Sequence, residues 1–362
     1  MKLQRLNAVL EQMKKDSINE MLVSDPYAIF YLTGKMFNPG ERLLALYLNI
    51  KGNHKLFINE LFPVTEDLGV EMVWFNDTQN SVEIVANNIE KSATIGVDKN
   101  WPAKFVLALM DLCPDSKMLN SSYIIDNLRC CKDEEEKVLM RAASALNDAA
   151  MAKLQQEING ELTEKQLVSK LTSIFESLGY DGYSFSPIIG FGVTGSDPHG
   201  KPGDRKVNVG DPIILDIGCV KDHYCADMTR TVFYKEAPEK AKEIFEIVLE
   251  ANKRAIALVK PGVRFCDIDA AARDYITEKG YGKYFTHRTG HSIGLECHDM
   301  GDVSSVNTDC VREGMIFSVE PGIYLPGEFG VRIEDLVMVT ADGHEILNKH
   351  NKELCIVGWL LN

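Results

Sequence analysis

Apolar positions along the first ~125 residues follow two rhythms. Short runs at Met21–Ser24, Leu43–Ile50, Lys55–Asn59, Val70–Phe75 and Thr94–Val97 have the length and composition of strands. Leu3–Lys15, Ser81–Glu90 and Trp101–Leu112 have helical spacing. Asp25-Pro26 and Gly34 punctuate this part. The alternation predicts an α/β layer domain. It carries no cluster of nucleophiles or ligands, so a structural or oligomerising role is expected of it.

The pattern changes at Arg129–Glu136, where charge replaces apolar residues. Asp133 is a good helix N-cap, and Glu134, Glu135 and Glu136 suit the positive end of a helix. The boundary is therefore expected near 125–132, giving domains of 1–128 and 129–362. Beyond it the order of elements repeats. Helices over about 133–157 and 163–178 lead to Gly179-Tyr180-x-x-Tyr183, and helices over about 238–259 and 266–279 lead to Gly280-Tyr281-x-x-Tyr284. Each pair runs on into strands that carry His and carboxylates. This predicts a duplicated α+β unit about a pseudo-two-fold axis.

Composition narrows the function classes. Of 362 residues, 45% are hydrophobic and 25% charged, the mix of a globular protein with a real core. Acids outnumber bases 53 to 39, a formal charge of −14, which disfavours nucleic acid and anionic membrane surfaces as partners. No apolar run reaches the ~18 residues of a membrane helix, and Met1–Glu20 lacks the apolar core and cleavage site of a secretory signal. Nine cysteines without Cys-x-x-Cys spacing suit a reducing cytoplasm.

Candidate chemistry lies in acids placed where strands should be apolar. Asp216 in Pro212–Gly218 and Asp227 in Tyr224–Phe233 flank a polar turn. A hairpin centred on Lys221-Asp222 sets them face to face, with β-carbons ~4.5–5.5 Å apart. Glu320 and Glu334 lie symmetrically about Gly327 in a second such pair. Carboxylates this close repel unless a cation separates them. Three glycine-flanked or turn histidines accompany them, His291, His298 and His199, while His223, His344 and His350 read as surface residues and His287 as a supporting one. Each element alone has a bland structural explanation; the joint occurrence does not. Four carboxylates and an imidazole make an oxygen-rich site for two divalent ions such as Mn²⁺, Co²⁺ or Zn²⁺, a recognised hydrolytic device.

The order His199, Leu215-Asp216-Ile-Gly, Asp227-Met-Thr-Arg, Gly290-His291-Ser-Ile-Gly, His298, Ser318-Val-Glu320-Pro-Gly-Ile-Tyr324 and Arg332-Ile-Glu334-Asp resembles the metallopeptidases of the pita-bread fold. Within them it resembles the Xaa-Pro peptidases, prolidases and aminopeptidases P, across nearly the whole chain. Ser24-Asp-Pro and Tyr31-Leu-Thr-Gly34 resemble the creatinase-type N-terminal domain. Phe37–Arg42 and Tyr284–Arg288 look most like the compact prolidases of Gram-positive bacteria. One departure is Ser292, where the family usually has Gly or Ala.

The resemblance implies a metal set of Asp216, Asp227, His291, Glu320 and Glu334, with Asp227 and Glu334 bridging two ions, Mn²⁺ foremost. It implies that His199 and His298 contact substrate, that Arg332 orients a ligand carboxylate, that Tyr324 lies beside the intermediate, and that Glu320 also moves the proton. It further implies a proline-containing di- or oligopeptide substrate and a homodimer. A metal-free amidine hydrolase and a catalytically dead binding relative are the rival readings; both should have lost ligands, and all five positions are filled. Arg288, three residues before His291, is placed to grip the carboxylate of a dipeptide, and Glu41 and Arg42 are further candidates to reach the cleft.

Overall fold

The computed structural model describes residues 1–359; the last three residues of the expected second domain lie outside them. The chain divides into two compact units, Met1–Arg129 and Cys130–Asn362.

The first unit is a mixed six-stranded sheet in the order Glu71–Phe75, Lys55–Asn59, Ala45–Asn49, Glu20–Val23, Thr94–Val97, Lys117–Asn120. Helices Leu3–Lys15, Ser81–Asn88 and Ala103–Leu112 fall where the spacing places them. Two short helices, Pro26–Thr33 and Tyr123–Cys130, and the edge strand Lys117–Asn120 are not legible in the apolar rhythm. Pro26–Thr33 is only 8 residues long, uniformly apolar, and defined by its ends: Asp25 caps Tyr27 N–H, Pro26 opens the first turn, and Gly34 closes it at φ 79°.

The second unit repeats itself. Helices Glu134–Gln156 and Glu164–Leu178 precede the strands of one half, and Glu239–Ala257 and Phe265–Glu278 those of the other. Each half has its own apolar core, one built around Leu154, Phe175 and Leu215, the other around Phe245, Ile268 and Phe317. The two glycine–tyrosine motifs do the same job twice. Gly179 and Gly280 take φ of 76° and 88° after their helices, and each is followed by a packed pair, Tyr180 with Tyr183 at 5.6 Å and Tyr281 with Tyr284 at 6.4 Å.

The strands carry the site. In the first half, Pro212–Ile217 pairs antiparallel with Met228–Tyr234, and Asp216 faces Thr229 rather than Asp227. The turn is centred one residue later than the sequence suggests, on Asp222-His223, which take φ of 48° and 70°. Positive φ at both central residues is the two-residue turn that matches strand twist. Asp227 therefore lies diagonally from Asp216, still on the same face. In the second half, Ile316–Val319 pairs with Asp335–Val339 and Gly322–Leu325 with Phe329–Arg332. Both ladders keep the register that is symmetric about Gly327, so Glu320 and Glu334 occupy matching positions between them.

His291 is set by a close backbone approach. Gly290 and His291 pair with Asp302 and Val303, and Ser292 bridges to Phe317. A β-carbon on Gly290 would fall 1.8 Å from the carbonyl oxygen of Ser318. We expect Gly290→Ala to force these backbones apart, costing about 1–3 kcal/mol or more in denaturant unfolding and displacing His291. Unchanged stability would show that the approach is not tight.

Candidate metal centre and active site

Asp216, Asp227, His291, Glu320 and Glu334 all line one cavity of about 450 Å³ in the second unit. Donor atoms of Asp227, His291 and Glu334 lie within 4.8 Å of one another. His291 Nε2 stands 3.6 Å from Asp227 Oδ2 and 3.5 Å from Glu320 Oε1, while Nδ1 faces the Ser292 carbonyl at 3.3 Å. With its proton on Nδ1, the ring presents a lone pair to the carboxylates, the orientation a metal ligand needs. Ser292, the departure from the family pattern, is accommodated opposite Gly301, where a β-carbon would lie 2.8 Å from Ser292 Oγ.

The carboxylates are buried and short of partners. Asp216 Oδ1, Asp227 Oδ1 and Glu334 Oε1 accept no hydrogen bond from the described residues. Burial, then repulsion from the other acids, drives Asp227 and Glu334 well above the ordinary carboxylate range, and burial pushes Glu320 up to about 7. The next residue along shows the contrast. Asp335 is equally buried, yet Arg230 at 2.8 Å and Lys352 at 2.6 Å hold it ionised. Their cations overcome a burial cost that on Glu334 is opposed by no side-chain cation at this range among the described residues.

Thr229 ties the two halves together here. It faces Asp216, donates to Glu334 Oε2 at 2.8 Å and receives Arg332 Nε at 3.1 Å. Its role is visible in the sequence only as a hydroxyl two residues from Asp227, on the same strand face.

Arg332 extends the site outwards. Its Nη2 donates to Asp216 Oδ2 at 2.6 Å and its Nη1 to Tyr324 Oη at 2.7 Å. Having accepted from Arg332, the Tyr324 hydroxyl can donate to His287 Nε2 at 2.9 Å, which leaves the His287 proton on Nδ1, facing the Arg288 carbonyl at 2.7 Å. Burial, with Arg332 nearby, lowers the His287 ring to about 4, so it is neutral. Tyr324 is not among the residues lining the cavity; its hydroxyl is committed to Arg332 and His287.

His199, His298 and Arg288 line the cavity, each exposed towards it. The His298 ring packs edge-on to His291, centroids 4.3 Å apart. Arg288 pairs with no acid among the described residues. Phe185, Ile188 and Pro198 are apolar residues of the same lining. Arg42 is held by Asp77 through two 2.8 Å bonds within the first unit. Of the histidines read as surface residues, His344 and His350 are half-buried, and His344 Nδ1 binds the Val259 carbonyl at 2.9 Å.

Comparison with known proteins places this arrangement. Residues 138–341 match the model of metallopeptidase family M24, and residues 5–131 that of the creatinase/prolidase N-terminal domain. The chain belongs to metallopeptidase family M24. An uncharacterised peptidase of Staphylococcus saprophyticus is 36% identical over 96% of this chain and 100% of its own. The solved Xaa-Pro dipeptidase of Bacillus anthracis superposes with TM-score 0.92 at 29% identity, covering 99% and 100% of the two chains. An X-Pro aminopeptidase of Thermotoga maritima superposes with TM-score 0.84 at 29% identity, covering 94% and 98%. The pita-bread architecture and the kinship with Xaa-Pro peptidases implied by the motifs therefore hold.

M24 metallopeptidases use divalent metals, and the residues present fit them. Three unpartnered, buried carboxylate oxygens and a lone-pair nitrogen face one cavity, the donor set of a Mn²⁺, Co²⁺ or Zn²⁺ site. The same groups set a pH signature. In the metal-free protein the folded state holds protons that the unfolded chain releases, so stability is full below the ordinary carboxyl range, near pH ~4. That contribution is lost as pH rises through about 7 for Glu320, and the raised Asp227 and Glu334 act in the same direction. Metal binding needs these groups ionised and strengthens over the same range. The rise in Tm on adding Mn²⁺ should therefore grow from pH 5 to pH 8, measured by scanning fluorimetry at fixed metal. A rise that stays constant with pH would contradict the site's electrostatics.

Proposed function

We propose that this peptidase hydrolyses the imide bond before proline, chiefly in Xaa-Pro dipeptides, with two divalent cations held by Asp216, Asp227, His291, Glu320 and Glu334, Mn²⁺ being the preferred ion. The observation that carries the reading is the cluster of buried carboxylates, with three unpartnered oxygens, on the wall of a cavity that also holds an unpaired guanidinium. Four carboxylates and two divalent cations balance in charge. Asp227 and Glu334, whose donor atoms lie with that of His291 within 4.8 Å of one another, would be shared between the two ions, as the resemblance implies.

Two such cations, when bound, acidify a water and polarise the scissile carbonyl. The chain supplies the rest. Glu320, at the cavity wall and held by Ser318 Oγ at 3.2 Å, receives the proton of the attacking water and passes it to the departing prolyl nitrogen. His199 and His298 hydrogen-bond the substrate and the developing oxyanion. Arg332 fixes Asp216 in place. The apolar lining residues Phe185, Ile188 and Pro198 offer contacts for the prolyl ring.

The preference for dipeptides rests on Arg288. A dipeptide ends in a carboxylate beside the ring, and an unpaired guanidinium can grip it with two hydrogen bonds. The solved X-Pro aminopeptidase relative keeps the second reading in view, cleavage of longer peptides. Nine free thiols support a reducing, cytoplasmic setting, and the homodimer implied by the resemblance completes the proposal.

Asp227→Asn should lose bound metal and activity together while circular dichroism stays unchanged. At pH high enough to ionise the cluster, its metal-free form should melt above metal-free wild type, because one of the buried acids that would then have to carry a charge is gone. An active, metal-replete Asp227→Asn enzyme would remove the proposed site. Arg288→Ala should lower kcat/KM for Xaa-Pro by about 10- to 150-fold, the worth of a charge-assisted contact, and spare Xaa-Pro-amide. Equal losses on both, or a wild-type preference for tripeptides, would favour the aminopeptidase reading.

A further inference from the structure

The cavity wall carries a donor that this chemistry does not use. Cys297 lines the cavity, partly buried, with its Sγ 3.6 Å from Asp227 Oδ2. It sits beside His298, and consecutive residues of a strand would point to opposite faces. Here the segment after Ser292 leaves the strand and bends. Gly294 N–H reaches the Glu296 carbonyl at 3.0 Å, and Asp299 N–H returns to the Ser292 carbonyl at 2.9 Å. The buried pair of Lys132 and Asp299, at 3.4 Å, pins the far end. The bend turns two neighbouring side chains into the same space, so that donor atoms of His291, Cys297 and His298 all lie within 4.8 Å of one another.

One sulfur and two imidazoles are a different donor set from the carboxylates beside them. Thiolate and imidazole select Zn²⁺ and its soft analogues, and carboxylate-rich sites suit Mn²⁺. The two sets share His291. We propose that His291, Cys297 and His298 form an alternative cation site for thiophilic divalent ions, Zn²⁺ or Cd²⁺, whose occupation inhibits the enzyme. Binding forms a sulfur–metal bond and releases the thiol proton to solvent. It takes His291 from the carboxylate site and His298 from substrate. The inhibitory consequence rests on the function proposed above; the site itself does not.

The test uses the full chain stripped of metal and titrated with Cd²⁺, following thiolate-to-cadmium charge-transfer absorption in the ultraviolet. Wild type should show a signal that saturates at one equivalent and is absent from Cys297→Ser and Cys297→Val. His298→Ala should weaken it. In Mn²⁺-loaded enzyme, the inhibition constants for Zn²⁺ and Cd²⁺ should rise by about 10-fold or more in Cys297→Ser. An equal cadmium signal in wild type and both Cys297 variants would place the metal on other cysteines and overturn the proposal, as would unchanged inhibition constants. The cadmium signal is read without substrate. Its presence in a chain that failed to cleave Xaa-Pro peptides would uphold the cation site and remove only the hydrolytic reading.

Discussion

Repulsion among buried carboxylates is the constraint around which the second unit is built. Asp216, Asp227, Glu320 and Glu334 converge from two hairpins on one wall, and Arg332 is a side-chain cation that contacts one of them directly. Burying an acid without compensation costs several kcal/mol, so the strands that carry these residues must be held by other means. They are held by their apolar undersides, by the ladders on either side of each acid, and by Thr229, which bonds across the seam to Glu334. A site that strains the fold in this way is stabilised by whatever cation neutralises it.

The wall divides the work between two kinds of group. Those nearest the carboxylates set the chemistry, and those at the rim set which peptide is accepted. The hydrogen-bond chain from Asp216 through Arg332, Tyr324 and His287 to the Arg288 backbone joins them. A neutral His287 can sit in that chain in one tautomer only, because Arg332 fixes the direction of the Tyr324 hydroxyl.

Much of this was legible in the residues. Acids in strands and glycine-flanked histidines stand out because burial penalises them, and the symmetry of Glu320 and Glu334 about Gly327 held because turn residues crowd that connection. The first hairpin turns one residue later than its sequence suggests because an Asp-His turn has no glycine to mark it, although both residues adopt positive φ. Short helices with no polar face, such as Pro26–Thr33, leave no period to detect. Thr229 and Cys297 are silent in the sequence for another reason: a threonine in a strand and a thiol beside a histidine look like packing until the fold shows what they face.

The two halves of the second unit keep separate apolar cores, and their acids meet only at the seam. A cation shared by donors from both halves would then add a tie across a seam that Thr229 with Glu334, Arg230 with Asp335 and Arg332 with Asp216 already hold. Loading it would couple the two cores more tightly, and chelation would loosen the catalytic seam before it loosened either core.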